Sequence, residues 1–224
     1  MSLYVVATPI GNMEDITLRA LRILKEVDYI LSEDTRVSKK LLDRYEIKKP
    51  LISFHHHSSE KRYNEVLKLL EEDKNIALIS DAGTPAISDP GGVLLDLVRK
   101  KLPEVLIEPI PGPSALTAAL SVSGLKIDKF LFFGFLPHKK GRSKMINEVI
   151  SSKYPVVLFE SKHRILKLLE ELSSRIEKDS KKVMVFRELS KMYYTFYNDS
   201  AKNLLEKLSE DQVSLKGEFT VIIY

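Results

Sequence analysis

The chain has 224 residues, enough for one large domain or two small ones with real cores, and its 44% hydrophobic and 29% charged content is that of a globular protein. It has no cysteine, which excludes disulfides, thiolate metal sites and a thiol nucleophile, and no apolar run as long as a membrane span. The net charge of +4 lies in the second half: residues 1–112 hold 16 Lys and Arg against 18 Asp and Glu, and residues 113–224 hold 19 against 13. That asymmetry suits a polyanion such as RNA, or a lysine-rich solubilising surface.

The opening MSLYVVATPIG lacks the basic and apolar regions of a signal peptide, so a cytoplasmic protein is expected. Its LYVVA begins an alternation: strands are predicted over 3–7, 29–31, 51–54, 76–80 and 105–110, with helical spacing over 16–27, 36–45, 59–72 and 91–101 between them. Strand, helix, strand repeated in this way predicts a mainly parallel α/β sheet, in which ligands sit beyond the carboxyl ends of the strands. Two glycine-bearing loops, TPIGN (8–12) and DAGTPAISDPG (81–91), fall at such ends. PIPGPSAL (109–116) sets three prolines around one glycine where the charge balance changes, and the domain junction is placed there, giving domains 1–112 and 113–224. Beyond it come a helix from Ser114, a strand over 130–135, a basic loop, a helix to about Ser151, a strand over 155–160 and a helix from His163. Strands over 182–189, 192–198 and 218–224, with a helix over 200–209, predict a mixed, partly antiparallel second sheet.

Neither a Walker sequence nor a G-x-G-x-x-G after the first strand is present, so ligand loops must work through other means. SDAGTPAISDPG combines open backbone with the carboxylates Asp81 and Asp89, and its Pro85 and Pro90 stiffen the loop. In TPIGN a tight turn can aim amides at a ligand, with Asp15 or Thr17 starting the next helix. PGPSA puts Ser114 at a helix start. In EDTRVSKK (33–40), Asp34 is suited either to a ribose hydroxyl or to capping the helix, and Arg36 either to a phosphate or to an ion pair with Glu33. Arg36 and Glu160, polar residues at strand ends, are the catalytic candidates for taking a proton or steadying developing negative charge. PHKKGRSK (137–144) offers Lys139, Lys140, Arg142 and Lys144 as phosphate contacts. FESKHRI and RELSK each set a glutamate beside cations, as internal ion pairs or substrate positioners. The run His55, His56, His57 lacks metal-ligand spacing, since successive strand residues face opposite ways, and no metal is expected.

VATPIGNMEDITLRAL (6–21), EDTR (33–36), ALISDAGTPAISDPG (77–91), PGPSA (111–115), GFLP (134–137), FESKHR (159–164), RELSK (187–191) and KGEFTVII (216–223) occur in one order over nearly the whole chain. Together they resemble the tetrapyrrole methylase superfamily of S-adenosylmethionine-dependent enzymes, and within it the branch that methylates the ribose 2'-oxygen of a cytidine in the decoding region of small-subunit (16S) ribosomal RNA. The resemblance implies two α/β domains with S-adenosylmethionine in the cleft between them, a homodimer, and the small ribosomal subunit or its RNA as partner. By matching positions it implies a donor pocket of Pro9, Gly83, Thr84, Pro85, Ile87, Ser88, Asp89, Ser114 and Ala115. Small residues there let main-chain groups approach a cationic, adenine-bearing ligand. Two features depart from the pattern. After RELSK the family usually carries an aromatic residue and then an acid, whereas here Tyr193 is followed by Tyr194, and some relatives continue past the point where this chain stops at Tyr224. The rival readings are a methylase of a corrin or porphyrin precursor, with the same fold and donor, and a non-catalytic RNA-binding module.

Overall fold

The alternation predicted for the first half is what the chain forms. In a computed structural model describing residues 1–55, 58–89, 91–177, 180–210 and 215–224, the chain divides into two units, Met1–Ser114 and Ala115–Tyr224. The first unit runs β1 (Ser2–Val6), α1 (Leu18–Glu26), β2 (Tyr29–Ser32), α2 (Thr35–Arg44), β3 (Leu51–Ser53), α3 (Glu60–Glu71), β4 (Ile76–Ile79), α4 (Gly91–Lys101) and β5 (Leu106–Ile110). Its sheet has the order β3-β2-β4-β1-β5, and every pairing is parallel. β4, IALI, is buried throughout, as a strand covered on both faces must be.

Helix starts follow local chemistry. Thr17 caps α1, its hydroxyl accepting the Ala20 amide at 3.0 Å, and Asp34 caps α2, accepting the Arg36 amide at 2.9 Å. The first helix begins two residues later than its hydrophobic period predicts because a 3₁₀ turn, Met13–Asp15, capped by Asn12, intervenes.

Strand order fixes where a ligand can sit. From β1 the chain moves through α1 and α2 toward β3; from β3 it returns through α3 and α4 to β5. Right-handed crossovers then put the two helix pairs on opposite faces. The cores show it: Ala20, Leu24, Leu41 and Leu42 pack with Val6, Ala77 and Ile79, while Val66, Leu70, Leu94 and Val98 pack with Leu3, Ile76 and Leu78. The adjacent strands β1 and β4 therefore send their following loops to opposite sides, opening a crevice at their carboxyl ends.

The second unit runs α5 (Ala115–Ser121), β6 (Leu131–Phe135), α6 (Arg142–Ser151), β7 (Val156–Ser161), α7 (Ile165–Ser173), β8 (Val183–Arg187), β9 (Thr195–Asp199), α8 (Ala201–Glu210) and β10 (Glu218–Ile223). The sheet order is β6-β7-β10-β8-β9. Only β6 and β7 pair in parallel; β10 lies antiparallel to both β7 and β8, and β9 antiparallel to β8, so the sheet is mixed as expected. α6, α7 and α8 bury Ile146, Leu168, Leu172 and Leu204 against one face. On the other, Ala119 of α5 meets Val157, Met184, Phe186 and Ile222. The strand predicted from Met192 begins only at Thr195, and the one predicted to residue 189 ends at Arg187. Glu188 and Ser190 take left-handed backbone, at φ 55° and 65°, which cannot continue a strand.

Candidate functional site

The crevice of the first unit is built by two loops that grip each other. Thr8, after β1, and Gly83, after β4, exchange both backbone hydrogen bonds, at 2.9 and 3.0 Å. The buried Thr8 hydroxyl also donates to the Ser80 carbonyl at 3.1 Å. Gly83 has φ 81°, a left-handed conformation that favours glycine, while a β-carbon there would make only ordinary contacts, 3.4 Å from the Ile10 methyl and 3.7 Å from the Pro113 carbonyl. Thr84 donates its hydroxyl to the Pro113 carbonyl at 3.2 Å, which ties in the loop after β5. Three strand-end segments thus form one backbone-rich rim in which Pro9 and Pro85 are buried and Ile87 and Ser88 are exposed.

Ala86 and Ser88 both hold left-handed φ, at 67° and 59°. Non-glycine residues there are strained, and the strain is held by Asp89, whose Oδ1 accepts the amides of Ala86 at 3.3 Å and Gly91 at 2.9 Å. Asp89 is therefore a loop organiser whose carboxylate is already engaged. Pro90 lies outside the described residues. Ser114, half-buried, closes the first unit and Ala115 opens α5 of the second.

A second cluster stands at the end of β2. Asp34 takes a fork from Arg36, Nε to Oδ1 at 3.0 Å and Nη2 to Oδ2 at 2.6 Å, and its amide donates to Asp81 Oδ1 at 3.0 Å. The capping role considered for Asp34 is thus the one seen, and Asp34 is the carboxylate that Arg36 engages. Hydrogen bonds from the Arg36 side chain and amide hold the Asp34 carboxyl down at about 2, and the same pair pushes the Arg36 guanidinium up. Burial pushes the Asp81 carboxyl up, with the charges of Asp34 and Asp89 adding to it against the Asp34 amide.

In the second unit two of the expected site residues need correction. Glu160 is 1% exposed; its Oε1 takes Arg164 Nε and the Ser161 amide, each at 2.8 Å, and Arg142 Nη1 lies 3.7 Å from Oε2. A carboxylate sealed among two guanidiniums cannot reach a substrate hydroxyl, so Glu160 is structural and not catalytic. Arg142 is equally enclosed at 3% exposure, pairing with Glu171 at 2.8 Å and donating to the Pro137 carbonyl, so it is no RNA contact. Its guanidinium instead anchors the basic loop from beneath, leaving Lys139, Lys140 and Lys144 in solvent.

Sequence reasoning left Thr8 and Arg187 unassigned. Thr8 lies inside TPIGN, and its hydroxyl was the available signal. Arg187, 7% exposed, donates from Nε to the Lys216 carbonyl at 2.5 Å and from Nη1 to the Tyr193 carbonyl at 3.2 Å, contacts between segments 29 and 6 residues away that no local pattern announces. Among the described residues no three His, Asp or Glu side chains gather as a metal site, and no helix is long and apolar enough to cross a membrane. His56 and His57 lie outside the described residues.

The family described as Tetrapyrrole (Corrin/Porphyrin) Methylases matches residues 2–205. Ribosomal RNA small subunit methyltransferase I of Thermotoga maritima is 43% identical over 221 residues, spanning 99% of this chain and 97% of its own. The protein of that name from Pasteurella multocida is 42% identical over 222 residues, spanning 99% of this chain and 78% of its own. Among solved structures, a cobalamin biosynthetic enzyme, cobalt precorrin-4 methyltransferase, superposes with a TM-score of 0.71 at 18% identity, covering 99% of this chain and 94% of that one. Uroporphyrin III C-methyl transferase of Thermus thermophilus gives 0.67 at 18% identity, covering 100% and 97%. At such identity the likeness to these two is one of fold.

Proposed function

We propose a function from the premise that the chain belongs to the tetrapyrrole (corrin/porphyrin) methylase family and, within it, to the ribosomal RNA small subunit methyltransferase I group. Its two-sheet α/β architecture is the fold of that family. The activity we assign is S-adenosylmethionine-dependent methylation of the ribose 2'-oxygen of a cytidine in small-subunit ribosomal RNA. Most of the donor pocket is assigned to residues 1–112 and most of the RNA contacts to the more basic 113–224. A cytoplasmic homodimer belongs to the same reading.

The observation that carries the donor site is the Thr8–Gly83 bridge at the β1–β4 crevice, which locks two glycine loops into a rim of main-chain groups. The rim fits a donor with a flat base and a sulfonium cation. Gly83 lets the backbone come close, Pro9 and Pro85 stiffen it, exposed Ile87 offers apolar area, and Asp81 adds a carboxylate whose Oδ1 accepts the Asp34 amide. The donor brings its own activation as positive charge on sulfur, so the protein's task is chiefly to position. In the reaction a bond forms from O2' to the methyl carbon, the carbon–sulfur bond breaks with its electrons going to sulfur, and the hydroxyl proton is released. Arg36 stays protonated beside Asp34, so in this mechanism it donates a hydrogen bond to a phosphate or a developing alkoxide and does not accept the proton.

The acceptor class rests on the relatives, whose identity extends along the whole chain, and it is tested directly. Purified protein with labelled donor is expected to methylate small ribosomal subunits or their RNA, with mass spectrometry placing the methyl on a cytidine ribose, and to leave a tetrapyrrole precursor untouched. Tight donor binding by calorimetry with transfer to the tetrapyrrole and none to RNA would overturn the assignment. Light scattering checks the homodimer.

A further inference from the structure

The connection between β8 and β9 is a strained loop held rigidly in place to carry large apolar side chains into water. Its backbone is left-handed at Glu188 and Ser190. The neighbouring Gly217 sits at φ 109°, where a β-carbon would come 2.5 Å from the Glu188 side chain. Arg187 fixes the Tyr193 and Lys216 carbonyls from below. Glu188 and Glu218 are joined by two bonds: the Glu188 amide donates to the Glu218 carbonyl, and the Glu218 amide donates to Glu188 Oε1, each at 2.9 Å. Lys191 Nζ reaches Glu188 Oε1 at 3.0 Å and Glu218 Oε2 at 2.8 Å. Burial pushes the Lys191 ammonium down, but these two carboxylates outweigh it and hold the group above its ordinary value. On this base stand Met192, Tyr193 and Tyr194, 89%, 68% and 44% exposed, followed by Phe196 at 44%. Strain of this kind persists only where surrounding bonds enforce it, and it is concentrated at sites that bind.

The surroundings indicate what is bound. Sheet register brings the ends of β6, β7 and β8 and the starts of β9 and β10 to one edge, so loops 136–141, 162–164, 188–194 and 215–217 emerge together. They carry Lys139, Lys140, Lys162 and Lys216 in solvent, while Lys191 is paired with Glu188 and with Glu218 at the start of β10, and Arg164 is engaged by Glu160 and the Leu136 carbonyl. Protein-docking patches are depleted in lysine at their centres, whereas aromatic rings interleaved with lysines fit bases and phosphates.

We propose that the 188–194 loop is a stacking platform for unpaired bases of the RNA substrate, with Tyr193 and Tyr194 as the stacking rings and the lysines of the neighbouring loops on the phosphates. The inference rests on the reading of this protein as an RNA methyltransferase and adds where that RNA is held. Met192 supplies a polarizable edge beside the rings.

The test compares Tyr193→Ala, Tyr194→Ala, the double alanine variant and the matching phenylalanine variants with the wild type. Anisotropy is read on a fluorescein-labelled single-stranded RNA and on its base-paired duplex, with methyl transfer to small subunits in parallel. Each alanine is expected to weaken single-strand affinity roughly tenfold and to erode the preference over duplex, while phenylalanine retains both. Melting temperature and calorimetric donor affinity stay at wild-type values. Wild-type RNA affinity and transfer in the double alanine variant would overturn the platform alone, leaving the methyltransferase reading intact. So would an unchanged RNA affinity accompanied by loss of self-association in light scattering, which would assign the rings to a second copy of the chain. A wild-type protein that neither binds RNA nor methylates subunits would overturn both.

Discussion

Arg142 and Lys140 sit two residues apart in one basic loop, yet the lysine is in water and the arginine is enclosed between Glu160 and Glu171. The planar guanidinium can satisfy several acceptors in a fixed fork, which makes arginine the better cation to bury. Removing the shared acceptor exposes the cost of that arrangement: Glu160→Ala leaves two cations without it and is expected to destabilise the protein by about 3–5 kcal/mol in denaturant titration. Glu160→Gln, measured below its lower melting temperature, keeps kcat, whereas a catalytic base would lose it. Asp34 gives a residue-scale pH prediction. Its carboxyl is depressed from 3.8 to about 2, chiefly by the Arg36 side-chain hydrogen bonds. A carboxyl depressed by folding supports the folded state above its ordinary value, and that support fades as pH falls through about 2. In Arg36→Ala the Asp34 midpoint, followed by carbon-13 NMR, is expected to move back toward 3.8.

At the scale of elements, the β4–α4 loop is a strained segment stabilised from both ends, by Thr84 on the β5 loop and by Asp89 on its own amides. Asp89→Ala frees two amides in left-handed surroundings and is expected to cost about 1–2 kcal/mol and to weaken donor affinity in calorimetry. Thr84→Phe fills the rim and is expected to weaken donor binding more strongly, with the fold kept; unchanged affinity would remove this loop from the pocket. The elements themselves were legible because their signals are local: β-branched runs for strands, helical spacing for α1 to α4, and a caps-and-turns vocabulary at Thr17 and Asp34. β9 was the exception. Met192, Tyr193 and Tyr194 read as strand by composition, but Arg187, which holds the Tyr193 carbonyl, and Glu188 are themselves fixed by Lys216 and Glu218, about 30 residues further along the chain.

For the molecule as a whole, the positive excess of residues 113–224 predicts that RNA affinity falls steeply with salt. A plot of log affinity against log salt concentration is expected to be linear, and replacing Lys139 and Lys140 by alanine should make its slope shallower, whereas Arg142→Ala should act through stability and leave the slope alone. Donor binding to the folded protein alone should raise the melting temperature with donor concentration, by about 2.7 kcal/mol of stabilisation at a hundredfold excess over Kd.

From the sequence alone one could derive the α/β class, the positions of nearly every element, the two glycine loops at strand ends and the kinship that the ordered motifs carry, because all of these are written in periodicity and in contiguous residues. Tertiary structure alone decided which charges are available. Glu160 and Arg142 look like site residues until the fold encloses them together, and Tyr193 and Tyr194 look like strand until the loop beneath them is seen. Burial and ion pairing depend on partners far along the chain, and no local pattern encodes which distant residue will arrive.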